Sequence, residues 1–291
     1  MAALLKGAPV AKAITAELVE RARKLESLGV MPTLAIVRVG EREDDLSYER
    51  GALKRCEKVG ISCRRFLLPA DVSQEELLRV VAEVNEDPSI HGCLIFRPLP
   101  AHLKEDMVAA ALLPKKDVDS MTSASLLSTL SGLGAGYAPC TAEAVLAILD
   151  HYGIDLDGAN VVVVGRSLVI GKPVASMLLA RNATVTACHT HTRDLADVCR
   201  RADVVVAAAG HACTLGADAV RSGQIIIDVG INWDAQVKKL VGDVDFEAVE
   251  PLVDAVTPVP GGVGAVTTAI LARHVICAAE EAYGHVVRTM Q

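Results

Sequence analysis

Valines 161–164 run straight into Gly165-Arg166-Ser167-Leu168-Val169-Ile170-Gly171, and a junction of that kind can hold a phosphate. Four β-branched residues in a row read as a buried parallel strand, and the two glycines bracket a tight turn that opens a helix. A helix N-terminus points unpaired backbone N–H groups outward, which is how a dinucleotide pyrophosphate is held. The spacing is Gly-x5-Gly rather than the commoner Gly-x-Gly-x-x-Gly, so an ordinary strand–helix turn stays open on these residues alone. Arg166 adds a permanent cation directly after the first glycine.

Other residues offer chemistry of different kinds. Asp117-Val118-Asp119 places two carboxylates in a turn. A carboxylate can accept paired N–H donors from a heterocycle, or it can simply close an Asx turn in solvent. Tyr48 offers a flat apolar face with one polar handle, and its plain alternative is a half-buried helix residue. His189 and His191 stand two apart, yet no acidic or cysteine partner has clear metal spacing, and no metal is expected. The loop Thr257-Pro258-Val259-Pro260-Gly261-Gly262-Val263-Gly264 suits neither a helix nor a strand interior. Its prolines fix φ and its glycines allow close backbone approach.

Composition bounds what such residues can serve. The chain has 291 residues, 51% of them hydrophobic and 3% aromatic, with a mean hydropathy of +0.36. Ala/Val/Leu-rich sequence of this kind suits sheets covered on both faces by helices, and the length favours two domains. Net charge is −7 and pI about 5.6, which argues against nucleic acid and anionic membranes as partners. No membrane span or signal peptide is expected, so the protein reads as cytoplasmic. Eight cysteines without a CxxC pair read as core residues rather than a disulfide framework.

The elements that must position these residues alternate along the chain. Helices are expected at about 10–28, 45–59 and 74–85, the last capped by Ser73, with strands at 32–39, 61–68 and 93–96. Residues 120–137 are Ser/Gly/Leu-rich, pass through Gly132, Gly134 and Gly136, and read as a linker. A helix at 142–152 then leads to strands from Val161 and at 183–188, 204–208 and 225–229. Strands separated by helical segments imply a parallel, doubly wound α/β sheet. A last helix, 267–283, follows the Pro/Gly loop. Trp233 is expected to pack beside Ile231.

Taken together, Asp117-Val118-Asp119, Pro139-Cys140-Thr141, the Gly165 turn, Cys188-His189-Thr190, Asp228-Val229-Gly230-Ile231-Asn232 and the Pro260 loop form an ordered set. Over essentially the whole chain that set resembles the bacterial methylenetetrahydrofolate dehydrogenase/methenyltetrahydrofolate cyclohydrolase family. The resemblance implies an α/β protein of two domains with the active site in the cleft between them. An N-terminal folate domain would span 1–138 and a Rossmann-like NADP domain 139–266, with the helix at 267–291 packing back on the first. It also implies a homodimer that acts on tetrahydrofolate derivatives. By position, Tyr48, Asp119, Pro260 and Gly261 would meet the folate, with Tyr48 and Asp119 at the reacting ring. Gly165, Arg166, Ser167, Thr190 and Ile231, with Thr141, would meet the cofactor. Arg166 and Thr190 beside the ribose, where no carboxylate ends the 183–188 strand, favour NADP over NAD.

The pattern is broken at two polar positions. The lysine of bifunctional members, one helical turn after the tyrosine, is Ala52 here. Lys54 lies roughly 200° further round the helix and is expected to point away. The glutamine that ends the family's strand is Phe96, and Arg97 after it is expected on the opposite face. Ser120 replaces a glycine, and Gly264-Ala265-Val266 stands where Pro-Met is usual. The dehydrogenase is therefore expected to survive and the cyclohydrolase to be weak or absent. A fully bifunctional enzyme using Lys54 or Arg97 as a substitute, a non-catalytic folate or nucleotide sensor, and a shikimate-type NADP dehydrogenase are the alternatives.

Overall fold

The computed structural model describes residues 1–133, 136–234 and 238–289; Gly134 and Ala135 of the expected linker and residues 290–291 of the expected last helix lie outside them. From the N-terminus, β1 (Ala3–Leu4) and α1 (Gly7–Ser27) lead to β2 (Thr33–Val39), α2 (Glu43–Val59), β3 (Ser62–Leu68), α3 (Gln74–Glu86) and β4 (Gly92–Ile95). Next come α4 (Glu105–Ala111), α5 (Ser123–Ser131) and α6 (Cys140–His151). The chain continues with β5 (Asn160–Val164), α7 (Gly171–Leu179), β6 (Thr184–Cys188), α8 (Leu195–Arg200), β7 (Val204–Ala207) and β8 (Ile225–Asp228). It closes with β9 (Asn232–Asp234), β10 (Lys239–Val241), α9 (Phe246–Val249), β11 (Ala255–Val256) and α10 (Thr267–Thr289).

Two compact units result. One comprises 1–12, 129–132 and 141–267, and the other 13–128, 133–140 and 268–291. The first holds a six-stranded parallel sheet in the order β1-β11-β8-β7-β5-β6. Residues 1–12 join it because β1 pairs with β11. The order reverses between β5 and β7, which is where doubly wound sheets bind ligands at their carboxyl ends.

The second unit is built on the parallel sheet β3-β2-β4, and every residue of its central strand β2 is buried. Ala35, Val37 and Val39 pack with Leu77, Val81 and Val84 of α3, as a strand buried on both faces requires. The Ser73 hydroxyl caps α3 by accepting from the Glu76 N–H at 3.2 Å. The Lys116 ammonium closes its other end, donating to the carbonyls of Val84 and Asp87 at 2.6 Å each.

Two expectations are corrected. Residues 120–137 are not simply a linker, because Ser123–Ser131 is helical with Ser125 fully buried. The Thr122 hydroxyl accepts from the Ser125 N–H at 3.1 Å, so a cap organises what composition alone reads as loop. Trp233 does not pack into a core beside Ile231: the two are 65% and 61% exposed, on and beside the β9–β10 hairpin. The stretch Val263–Gly284 is long and apolar enough by composition to cross a membrane. Its most apolar window is 67% buried inside the protein, which accounts for that character.

On the opposite face of β2, Arg38 and the α2 residue Glu49 are 4% and 2% exposed. Glu49 accepts from Arg38 Nε at 2.7 Å and from Arg65 Nε of β3 at 2.6 Å, and Arg38 also donates to the Gly40 carbonyl. This bridge clamps α2, and with it Tyr48, to two strands. Glu49→Ala would leave the Arg38 guanidinium buried and unpaired, so unfolding by denaturant should show a loss of about 3–5 kcal/mol. A loss below about 1 kcal/mol would show that solvent reaches Arg38 readily.

Candidate functional site

Where β5 ends, the backbone turns so tightly that a side chain at Gly165 would collide with the Ala208 carbonyl after β7. A side chain at Gly171 would collide with the Gly165 carbonyl, so the Gly-x5-Gly spacing is set by backbone contact. The Ser167 hydroxyl accepts from the Ile170 N–H at 3.1 Å and orders the turn that opens α7. Gly165, Arg166, Ser167 and Thr190 line one pocket of about 320 Å³, together with His189 and His211. Arg166 and Thr190 are exposed there and offer a cation and a hydroxyl. The backbone cradle, the cation and the pocket size fit the phosphate and ribose of a dinucleotide.

His189 Nδ1 accepts from the His191 N–H at 3.1 Å, and the His189 N–H donates to the Thr192 hydroxyl at 2.8 Å. The His-Thr-His segment thus shapes its own loop. Among the described residues no group of three or more His, Cys, Asp or Glu is placed to hold a metal ion. All eight cysteines are free, five of them buried.

Ile231 does not line the Arg166 pocket. It lines a second pocket in the same unit, of about 310 Å³, together with Pro260 and Gly261. Thr141 lies half-buried in the first turn of α6 and lines neither pocket.

Sequence reasoning missed what holds these pockets in shape. Asp228, at the end of β8, is 3% exposed and accepts from the N–H groups of Gly230, Asp243 and Val244 at 2.9–3.0 Å. Asp243, fully buried, accepts from Gly210 N–H at 2.8 Å and from the Asn232 side-chain amide at 2.9 Å. Burial pushes the Asp228 carboxyl up to about 6 against these hydrogen bonds, and the Asp243 charge pushes the same way. The Asp-Val-Gly run at a strand end was the visible signal, but Asp243 lies 15 residues further on.

In the other unit, Tyr48 is half-buried on α2 and meets the Phe96 ring edge-to-face, with centroids 5.9 Å apart and planes at 83°. Ala52, one turn after Tyr48, is 0% exposed, while Lys54 is exposed to solvent. Strand β4 ends at Ile95, so strict alternation does not govern Arg97. Its guanidinium lies 3.9 Å from the Glu105 carboxylate, and its charge helps to keep Asp119 ionised.

The two aspartates of the turn have separate work. Asp117 is buried beside β4 and accepts from the N–H groups of Met121 and Thr122 at 2.8 and 2.7 Å, so it closes the Asx-type turn. Asp119 is half-buried, and its Oδ1 accepts from the Cys140 N–H at the start of α6 at 2.9 Å. Burial raises the Asp119 carboxyl above the usual carboxylate range; the Cys140 hydrogen bonds and the charge of Arg97 work against that rise. Ser120 beside it is buried at φ 55°, with no hydrogen-bond partner for its hydroxyl. A non-glycine residue in that conformation costs roughly 1–2 kcal/mol.

Known proteins match this arrangement closely. Residues 5–119 match the family model described as tetrahydrofolate dehydrogenase/cyclohydrolase, catalytic domain, and residues 139–283 match its NAD(P)-binding domain. A bifunctional protein FolD of Carboxydothermus hydrogenoformans is 50% identical over 281 residues, covering 96% of this chain and 98% of its own. The crystal structure of the bifunctional FolD methylenetetrahydrofolate dehydrogenase/cyclohydrolase from Campylobacter jejuni superposes with a TM-score of 0.93 at 38% identity, over 97% and 99% of the two chains. A Trypanosoma brucei enzyme of the same name, solved with NADP and an inhibitor, gives 0.90 at 34% identity over 96% and 98%. A shikimate-type dehydrogenase is thereby set aside: the chain belongs to the tetrahydrofolate dehydrogenase/cyclohydrolase family.

Proposed function

We propose that the protein oxidises 5,10-methylene-tetrahydrofolate to the 5,10-methenyl form with NADP, and that its hydrolysis of the methenyl product is weak or absent. Tyr48 and Asp119 take the pterin, with Pro260 and Gly261 as further folate contacts. Gly165, Arg166, Ser167 and Thr190 hold NADP, with Ile231 and Thr141 as outer contacts. NADP supplies the hydride acceptor when bound. A homodimer and a cytoplasmic location belong to the same reading and rest on the family resemblance.

The two reactions ask different things of the protein. Loss of hydride from the methylene carbon leaves a resonance-stabilised cation and needs no proton acceptor. Its demand is positional: the reacting atoms must lie about 3–3.5 Å apart and aligned. Hydrolysis of that cation needs a placed water and proton transfers, hence a positioned acid–base group. The observation that carries the split is a wholly buried Ala52, one helical turn after Tyr48, and a Phe96 ring packed on Tyr48, at the two positions where the family resemblance puts lysine and glutamine. Arg97 supports a second reading, since its charge is felt at Asp119. A guanidinium can orient water or an oxyanion, but it cannot accept a proton at ordinary pH.

Three outcomes test this. First, kcat/KM should favour NADP clearly over NAD, and Arg166→Ala should lose about 1.5–3 kcal/mol of NADP binding while barely changing NAD. Equal efficiency of the unmodified enzyme with both cofactors would refute the assignment. Second, Asp119→Ala should lose a similar charge-assisted contact to the pterin, about 1.5–3 kcal/mol of folate affinity, with NADP affinity unchanged in titration. Normal folate affinity would show that the pterin lies elsewhere.

Third, methenyl-tetrahydrofolate should accumulate in step with NADPH when both are followed at their own wavelengths in a slightly acidic buffer, after subtracting spontaneous hydrolysis. Ala52→Lys with Phe96→Gln should raise hydrolysis more than either change alone, towards the ~10²–10⁴-fold typical of acid–base catalysis. Rapid hydrolysis by the unmodified protein, abolished by Arg97→Ala or Lys54→Ala, would instead establish a substitute group.

A further inference from the structure

The middle of α10 carries one buried polar side chain in an apolar run. His274 is 3% exposed, with Ile270, Leu271, Val275 and Ala278 around it in sequence, all buried. A neutral imidazole out of water needs hydrogen bonds to be tolerated. Its Nδ1 lies 2.8 Å from the carbonyl oxygen of Val118. That oxygen can only accept, so Nδ1 carries the proton and donates. The Cys140 thiol donates to the same oxygen at 3.4 Å, and Tyr137 stacks on the imidazole with centroids 4.8 Å apart and planes 30° from parallel.

The Val118 carbonyl belongs to the peptide unit whose nitrogen is that of Asp119. Fixing it fixes the plane from which the Asp119 side chain departs. The carboxylate is tied at its far end, through Oδ1 to the Cys140 N–H at 2.9 Å. Asp119 is therefore held at two points, one on the backbone through His274 and one on the carboxylate through α6. We propose that His274 is a positioning residue, holding the Asp119 carboxylate in the orientation that accepts paired N–H donors of a heterocycle. This rests on the reading that Asp119 binds the pterin. His274 makes no contact with substrate in this account; it acts through the Val118–Asp119 peptide.

The test is steady-state kinetics of the full-length enzyme with methylene-tetrahydrofolate and NADP. His274→Ala should raise the folate KM about tenfold, change kcat less, and leave the NADP KM within about twofold. His274→Asn should recover most of the folate KM, because its side-chain amide can stand where Nδ1 stands. His274→Gln should not, because its amide reaches to the Nε2 position instead. If the alanine variant does not fold, as judged by its melting curve, the asparagine and glutamine pair carries the comparison. In an Asp119→Ala background, His274→Ala should add nothing further to the folate KM.

An unchanged folate KM in both His274→Ala and His274→Gln overturns the inference. So does a His274→Ala effect that persists in full without the Asp119 carboxylate, or that falls equally on the NADP KM. A large Asp119→Ala effect beside a silent His274→Ala overturns the inference alone. An Asp119→Ala protein with normal folate KM overturns the pterin role and this inference together.

Discussion

Buried carboxylates that accept backbone N–H groups are the constraint on which the functional loops depend. Asp117 gathers Met121 and Thr122, Asp228 gathers three amides, Asp243 reaches Gly210, and the half-buried Asp119 takes the first N–H of α6. Removing a carboxylate from water is costly, and only several charge-assisted hydrogen bonds offset it. The arrangement therefore tolerates little slack: a loop that drifts leaves an ion partly unsolvated. Such loops hold Gly210 and Ile231 in one unit and Asp119 in the other without a hydrophobic core of their own. The raised Asp228 carboxyl measures how incompletely its three hydrogen bonds offset burial beside a second carboxylate.

Much of this was legible in the sequence where a local rule decides the outcome. The valine run at 161–164, the cap at Ser73 and the Gly165 turn each follow from nearby residues. The structure then places Gly165, Arg166, Ser167 and Thr190 on one pocket. What was not legible depends on partners far along the chain. Nothing near Asp228 announces Asp243, and nothing near Asp119 announces His274, 155 positions on. The expected linker failed for a related reason. Serine and glycine read as loop by propensity, yet Thr122 capped a helix there and Ser125 was drawn into the core. Trp233 failed the other way, since a two-stranded hairpin offers one tryptophan no core to enter.

The ion bridge at Glu49 and the aromatic contact at Tyr48 show how helix α2 divides its work. Asp45, Glu49, Ala52 and Cys56 are buried along one stripe, at the i, i+4, i+7 and i+11 spacing of a helix face. Tyr48 stands at the margin of that stripe, half-buried. Its orientation is inherited from the clamp one residue later, where Glu49 meets two arginines. A side chain at position 52 has no such freedom, because the clamp draws that face against the protein.

The same burial ties together the two departures proposed at positions 52 and 96. A lysine at 52 would bring an ammonium into a buried position and would need a polar neighbour there. Removing only one member of such a pair leaves the other unsatisfied, at a cost of about 1–3 kcal/mol or more for a charged group. Replacing both by apolar groups can be nearly neutral, because no orphan remains. In the proposed reading Ala52 and Phe96 are such a double replacement, both buried. The Phe96 ring gains an edge-to-face contact with Tyr48, worth about 0.5–1.5 kcal/mol beyond its burial. Stability thus places no brake on the double change, whereas a chain altered at one position alone would carry a defect. In the proposed reading, the fold then keeps the flat aromatic surface at Tyr48 without the proton-transfer groups of bifunctional members.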